Sequence, residues 1–230
     1  MASVSTGNPG ADPPGWELAF RFESGRLCLA FCATVGERWQ RNFERLRSPD
    51  DLARWLVAAA LLPAAPQATN RALAGARVLR EAVYRAVRAG VAGEPAAADD
   101  RETINAWARH RDLGTQLGAN GTRAAWPGTD PVRACLSTLA RDAIDLLTGP
   151  ELARVRECAA ADCALLFLDR SRPGQRRWCS DRGCGSRARS ATYRRRLGSS
   201  RKEELRRASP AVRSGLPHLL RGVRKSAERP

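Results

Sequence analysis

The chain has 230 residues, of which 43% are hydrophobic, and a formal net charge of +15; it can bury a core, which excludes a wholly disordered polymer. No run approaches the roughly 18 uninterrupted apolar residues of a membrane helix, and the polar, proline-bearing start lacks the basic and apolar regions of a secretory signal, so the expectation is a soluble, cytoplasmic protein with no membrane partner. Of 39 basic residues only Lys202 and Lys225 are lysine; guanidinium forks grip phosphate and carboxylate, which points to a polyanion.

The charge is uneven. Residues 151–230 hold 21 Lys and Arg against 8 Asp and Glu, whereas residues 1–150 hold 18 against 16, so two parts with different tasks are expected. Seven cysteines, an odd number in a reducing compartment, read as metal ligands or buried apolar residues rather than as disulfides.

In chain order, residues 1–15 read as a disordered start and residues 16–149 as a mainly helical domain. Trp16–Phe22 alternates with period two and predicts a strand, followed by a turn at Glu23-Ser24-Gly25. Residues 26–35 fit either a returning strand or a buried helix, and a short hairpin running into a helix is the favoured arrangement. Ser48-Pro49-Asp50-Asp51 starts a helix, with a serine N-cap, proline in the first turn and two acids at the positive end of the dipole; Leu52, Trp55, Leu56 and Ala59 follow at helical spacing, and Pro63 stops it. A second helix starts near Thr69, carries Leu73, Ala76, Leu79, Val83 and Val87 inward, and ends at Gly90. Residues 91–98 form a loop, a third helix near Asp99 places Ile104, Trp107 and Ala108 on one face, and Gly114–Gly128 forms a loose hairpin around Asn120-Gly121. Asp130-Pro131 caps a fourth helix with Val132, Leu136, Leu139, Ala143 and Leu147 inward, closed by Gly149-Pro150.

No phosphate-cradling glycine loop, Gly-x-Ser-x-Gly elbow or His-Glu-x-x-His motif occurs, and His110 and His218 are solitary, so no catalytic residue is assigned and the chain reads as a non-enzyme. Cys28, Cys32 and Cys135 read as core residues.

The remaining four cysteines, Cys158, Cys163, Cys179 and Cys184, follow the pattern C-x4-C-x15-C-x4-C. Two paired-ligand turns joined by a link long enough to cross an ion and return fit one structural Zn²⁺, closed by four thiolates with no position for substrate. The link predicts a strand at Ala164–Leu168, a turn at Asp169–Gln175 and a return strand at Arg176–Trp178, with a helix from about Gly183 through Leu197. The result is a treble-clef-like finger over residues 150–197 in which Phe167 and Trp178 shield the sulfurs. Residues 170–202 hold twelve basic residues and one acid, Asp181. Some arginines, such as Arg176, Arg177, Arg182 and Arg187, offset the −2 charge of a Zn(thiolate)₄ centre. On a helix, Arg187, Arg194, Arg195, Arg201 and Lys202 share about a third of the circumference while Arg189 and Arg196 lie opposite, and Tyr193 and Leu197 form an apolar seam. Gly198 is expected to end this helix, with Ser200–Glu203 capping a short second one in a basic tail over residues 198–230, broken by Ser209-Pro210, Gly215 and Pro217.

The run Cys158-Ala-Ala-Ala-Asp-Cys163 through Arg-Trp-Cys179-Ser-Asp-Arg-Gly-Cys184-Gly-Ser-Arg187 resembles the CGNR zinc finger. Upstream, Gly25-Arg-Leu-Cys-Leu-Ala-Phe-Cys-Ala-Thr-Val35 and Leu46-Arg-Ser-Pro-Asp-Asp-Leu-Ala-Arg-Trp-Leu56 resemble the ABATE domain that precedes this finger in bacterial proteins described as stress-induced transcription regulators. The likeness spans roughly residues 16–197. It departs at Ser186, where the family has Asn, and at Ala30 and Ala33, where Asp and Asn are usual.

These readings together predict a mainly α fold with short β-hairpins, α+β in detail. The expected function is zinc-dependent DNA binding in transcription regulation, with Arg176, Arg177, Arg187, Arg189, Arg194, Arg195 and Arg196 as contacts. The helical domain would sense an effector or form a homodimer. RNA binding and a thiol/zinc redox switch are the alternatives.

Overall fold

The computed structural model describes residues 18–117, 121, 123–126 and 128–208. In order, its elements are α1 (Leu27–Cys32), β1 (Val35–Gly36), β2 (Phe43–Glu44), α2 (Pro49–Ala58), α3 (Asn70–Val91), α4 (Ala98–Ala108), β3 (Gly114–Leu117), β4 (Arg123–Trp126), α5 (Pro131–Thr148), β5 (Val155–Glu157), β6 (Leu166–Leu168) and α6 (Ser186–Ala208). The fold is mainly α, and its described strands pair as three antiparallel hairpins, β1–β2, β3–β4 and β5–β6. Of the described residues, those up to Ser186 belong to one compact unit and those from Arg187 to Ala208 to a second.

Three helix starts follow the local chemistry of the sequence. Ser48 Oγ accepts from the Asp51 N–H at 3.2 Å and the Asp51 carboxylate accepts from the Ser48 N–H at 2.9 Å, a reciprocal cap ahead of Pro49. Thr69 Oγ1 accepts from Ala72 N–H at 3.1 Å, and Asp130 from Arg133 N–H at 3.0 Å. Such a cap is worth about 1 kcal/mol, so packing must hold the helices in place. Ala76, Leu79, Val83 and Val87 of α3 and Leu136, Leu139 and Ala143 of α5 are fully buried on facing stripes. Near the end of α5 it is Leu146 that is fully inside, with Leu147 only partly covered.

The N-terminal region differs from the expected strand pair. Residues 26–35 contain a helix, α1, whose Cys28, Leu29, Ala30, Phe31 and Cys32 are all buried against α3 and α5. Its backbone bonds internally, beginning with Ala30 N–H to Arg26 O at 3.0 Å, so among the described residues no partner strand exists for residues 18–22, and these are irregular. The chain then forms a small hairpin, β1–β2, that alternation did not reveal because each strand is two residues long. Trp16 and Asn120 lie outside the described residues, as does everything after Ala208. Within these limits β3 and β4 pair as the expected hairpin, Leu117 opposite Arg123.

The helix after the last cysteine also differs. α6 runs unbroken through Gly198 and through Ser200–Glu203 to Ala208. An interior glycine costs about 1 kcal/mol relative to alanine, which the helix-favouring Arg, Leu, Lys and Glu residues around it outweigh.

Arg80 on α3 is the chief buried charge of the core. Its guanidinium meets both Glu44 oxygens at 2.7 Å, Glu81 at 2.8 Å and Thr34 Oγ1 at 3.0 Å. Burial opposes the charge, but the two carboxylates outweigh it and hold the Arg80 pKa above its usual value. Arg38 joins through Glu81 at 2.6 Å. Removing one member leaves its partners desolvated and uncompensated. Arg80→Ala is therefore expected to lower unfolding stability by about 3–5 kcal/mol, measured as a shift in the urea midpoint; a loss below about 1 kcal/mol would show that the network is dispensable.

Candidate metal centre

The finger is built on a hairpin placed differently from the expected one. Strand β6 pairs not with residues 176–178, which are irregular, but with β5, just ahead of the first cysteine. The first Cys-x4-Cys turn is thus the tip of the β5–β6 hairpin. It is closed by Cys158 N–H to Leu165 O at 2.9 Å and Cys163 N–H to Ala160 O at 3.0 Å, and Ala164 takes up the left-handed conformation (φ 55°) that turns the chain into β6.

Asp169 explains why residues 176–178 do not return as a strand. Its buried carboxylate accepts from Ser171 N–H at 2.9 Å, Ser171 Oγ at 2.6 Å and Arg176 N–H at 2.9 Å. These bonds, led by the one from the Ser171 hydroxyl, push its pKa down to about 2. The loop is therefore wound around a carboxylate instead of lying along β6. Arg176 continues the brace: Nε donates to Trp178 O at 2.8 Å, Nη2 donates to Cys179 O, and the guanidinium covers the Phe167 ring at 4.8 Å. The second turn, Asp181–Gly185, is held by Gly183 N–H to Ser180 Oγ at 3.1 Å and Gly185 N–H to Ser180 O at 2.9 Å.

These two turns bring the ligand atoms of Cys158, Cys163, Cys179 and Cys184 within 4.8 Å of one another, all four residues buried. Cys163 and Cys184 each place Sγ 3.6 Å from Cys179 Sγ. That is far beyond a disulfide bond of about 2.05 Å, yet it matches the roughly 3.8 Å edge of a tetrahedron with Zn–S bonds of about 2.3 Å. The Cys179 N–H donates to Cys158 Sγ at 3.4 Å. Ala33, Leu165 and Phe167 enclose the cluster, with Ala160 and Trp178 at its edge.

The electrostatics ask for a cation. Hydrogen bonds among the four sulfurs push the Cys158 thiol far down and Cys184 down, whereas they push Cys163 and Cys179 far up: four adjacent sulfurs cannot all ionise unaided. A divalent ion at their centre removes that conflict, so the donor set fits zinc. For Cys32 and Cys135 the leading cause is burial instead of neighbouring thiols, pushing each up to about 12, and Cys28 is pushed up by burial as well, which keeps all three as neutral core residues.

Comparison with known families agrees with this chemistry. The ABATE family, described as "putative stress-induced transcription regulator", matches residues 25–150, and the CGNR zinc finger matches residues 154–197. The chain belongs to the ABATE family. No curated protein matches it. ABATE and CGNR are regulatory and zinc-finger families rather than enzyme families, and the cofactor is one structural zinc ion. Among the described residues, no helix is long and apolar enough to cross a membrane.

In this ABATE–CGNR chain the finger is supported by residues to which sequence reasoning gave no such role. Tyr84 on α3 donates to Ala164 O at 3.2 Å, and burial, together with Glu157, pushes its pKa up to about 12 so that it stays a donor. Leu168 N–H donates to Ser24 O at 2.8 Å, and Gly25 (φ +83°) lies so close that an added Cβ would sit 3.1 Å from Leu168 Cβ. Ala33, one of the departures from the family pattern, packs into the sulfur cluster, and its carbonyl accepts from buried Arg45 at 2.9 Å. An Asp-x-Ser turn at 169–171 was a readable signal; the Tyr84 contact, eighty residues away, was not.

The candidate contact arginines fall into two groups. Arg176 is engaged inside the finger, and Arg177 is exposed with its guanidinium 5.1 Å from the Trp178 ring. Arg187, Arg189, Arg194, Arg195 and Arg196 are exposed on α6, as are Tyr193 and Leu197. Purified protein is expected to hold one zinc per chain by elemental analysis, and Cys179→Ala to lose it, since structural zinc contributes about 10–16 kcal/mol of apparent binding energy only with its full donor set. Stoichiometric zinc retained in Cys179→Ala would remove that residue from the ligand set.

Proposed function

We propose that this chain is a zinc-dependent, DNA-binding transcription regulator. Cys158, Cys163, Cys179 and Cys184 ligate one structural zinc, α6 meets the phosphates and bases, and the helical domain serves as a sensing or dimerising unit. The observation that carries this reading is α6 itself: 23 residues long, with no acid before Glu203 and with Arg187, Arg189, Arg194, Arg195 and Arg196 exposed. At about 1.5 Å per residue it extends for about 34 Å, long enough to lie in a major groove. A helix serving only as a solvated surface would normally alternate charges. The fourth cysteine precedes the first residue of α6 by two positions, so zinc ligation fixes where the helix begins, and metal binding and DNA binding should be lost together.

Arg176 contributes through the finger's own structure. Arg177 and the five α6 arginines are the contacts, and each phosphate neutralised should steepen the salt dependence by about 0.9 in log K against log salt. Replacing Arg194, Arg195 and Arg196 together by Gln is therefore expected to make the slope shallower by about 3 and to weaken duplex binding at low salt, read by fluorescence anisotropy. Zinc-loaded protein that binds no duplex would overturn the proposal, and structured RNA that outcompetes duplex DNA would reassign the polymer.

A further inference from the structure

A cleft of about 680 Å³ opens between the start of α3, the end of α4 and the start of α5. Its size falls within the roughly 300–1,000 Å³ range of small-molecule sites. Buried Val132 and Leu136 form its floor, with Ala72 and Gly75 beside them, and half-buried Trp107 is its aromatic wall. The rim is polar and carries Arg71, His110, Asp130 and Arg133.

Three details narrow what such a cleft could take. Gly75 sits inside a 22-residue helix, where glycine costs about 1 kcal/mol; an added Cβ would lie 2.8 Å from Trp107 Cζ2, so the absence of a side chain lets the indole pack directly against α3. On the rim, Arg133 pairs with Asp130 at 3.1 Å, whereas Arg71 has no acidic partner among the described residues. The indole N–H of Trp107 likewise has no protein acceptor among the described residues, its ring contact being His110 at 5.7 Å. The cleft thus combines a flat aromatic surface, an apolar floor and one uncompensated guanidinium. The N-terminal ends of α3 and α5 at its rim add potential of the same sign.

We propose that this cleft binds an aromatic monocarboxylic acid. The ring lies on Trp107 and the apolar floor, and the carboxylate is held bidentately by Arg71. A second acid group would meet Asp130, which favours a monoanion over a dicarboxylate. The inference deepens the sensing role proposed for the helical domain by naming its ligand class, and its test does not involve DNA, so the two readings can fail separately.

The test titrates the zinc-loaded full chain with 1-naphthoate, its neutral counterpart 1-naphthamide and the dicarboxylate naphthalene-1,4-dicarboxylate, using calorimetry. Expected is one naphthoate site per chain, with the amide and the diacid each at least about tenfold weaker. Arg71 is exposed and makes no structural pairing, so Arg71→Ala should keep the circular dichroism and melting of the parent while losing about tenfold in naphthoate affinity. Ala74→Leu, an exposed helix-compatible change that fills the cleft, should abolish binding. Amide binding as tight as naphthoate, Arg71→Ala without effect, or no naphthoate binding up to about 1 mM would each overturn the proposal.

Discussion

Strand β6 is only three residues long, and it is buried on both faces. Leu166 and Leu168 point into the core formed by α1, α3 and α5, while Phe167 between them points into the cysteine cluster. Alternation along a strand makes this possible, and the consequence is that one short segment belongs to two cores at once. Its backbone is fixed from two sides, by β5 and by the Ser24 carbonyl. If β6 shifted by one residue, leucines would move toward the sulfurs and the aromatic ring would move into the helical core. The position of the first knuckle, and through it the shape of the metal centre, therefore depends on packing in the domain upstream.

The arginines divide according to the same architecture. Within the compact unit, four in the core and finger are held by several acceptors each: Arg26 by Asp142, Asp145 and Glu151, Arg80 by Glu44 and Glu81, Arg45 by two carbonyls, and Arg154 by the carbonyls of Asp169 and Ser171. Guanidinium suits this role because its planar donors can serve several oxygens. Along α6 the acids needed for such pairing are absent until Glu203. α6 thus carries nine basic residues against two acids, a net +7 of the chain's +15, by the distribution of carboxylates as much as by that of arginines.

Much of this was legible in the sequence. The caps at Ser48, Thr69 and Asp130 and the inward stripes of α3 and α5 are local chemistry, and local chemistry is what single-sequence reasoning reads well. The four-cysteine spacing likewise announced the metal cluster. Pairings decided at a distance were not legible. The apolar run at 164–168 marks a strand but not its partner, and the link after it does not return as a strand because the hold of Asp169 on Ser171 and Arg176 outweighs ladder pairing there. Residues 18–22 alternate as a strand should, yet the helical choice made by residues 27–32 removes the edge they would need. Gly198 does not stop α6, since its penalty is small beside the propensity of its neighbours.

The double burial of β6 also limits how the finger could be separated from the rest of the chain. A segment cut at residue 154 and joined to another protein would carry Val155, Leu166 and Leu168 as an uncovered apolar patch and would lose the Tyr84 and Ser24 contacts to its hairpin. Many small zinc modules behave as transferable cassettes because the metal alone organises them. Here the ion and a neighbouring helical core share that task, so the β5–β6 hairpin that carries the first knuckle is a part of the helical domain and not a free cassette.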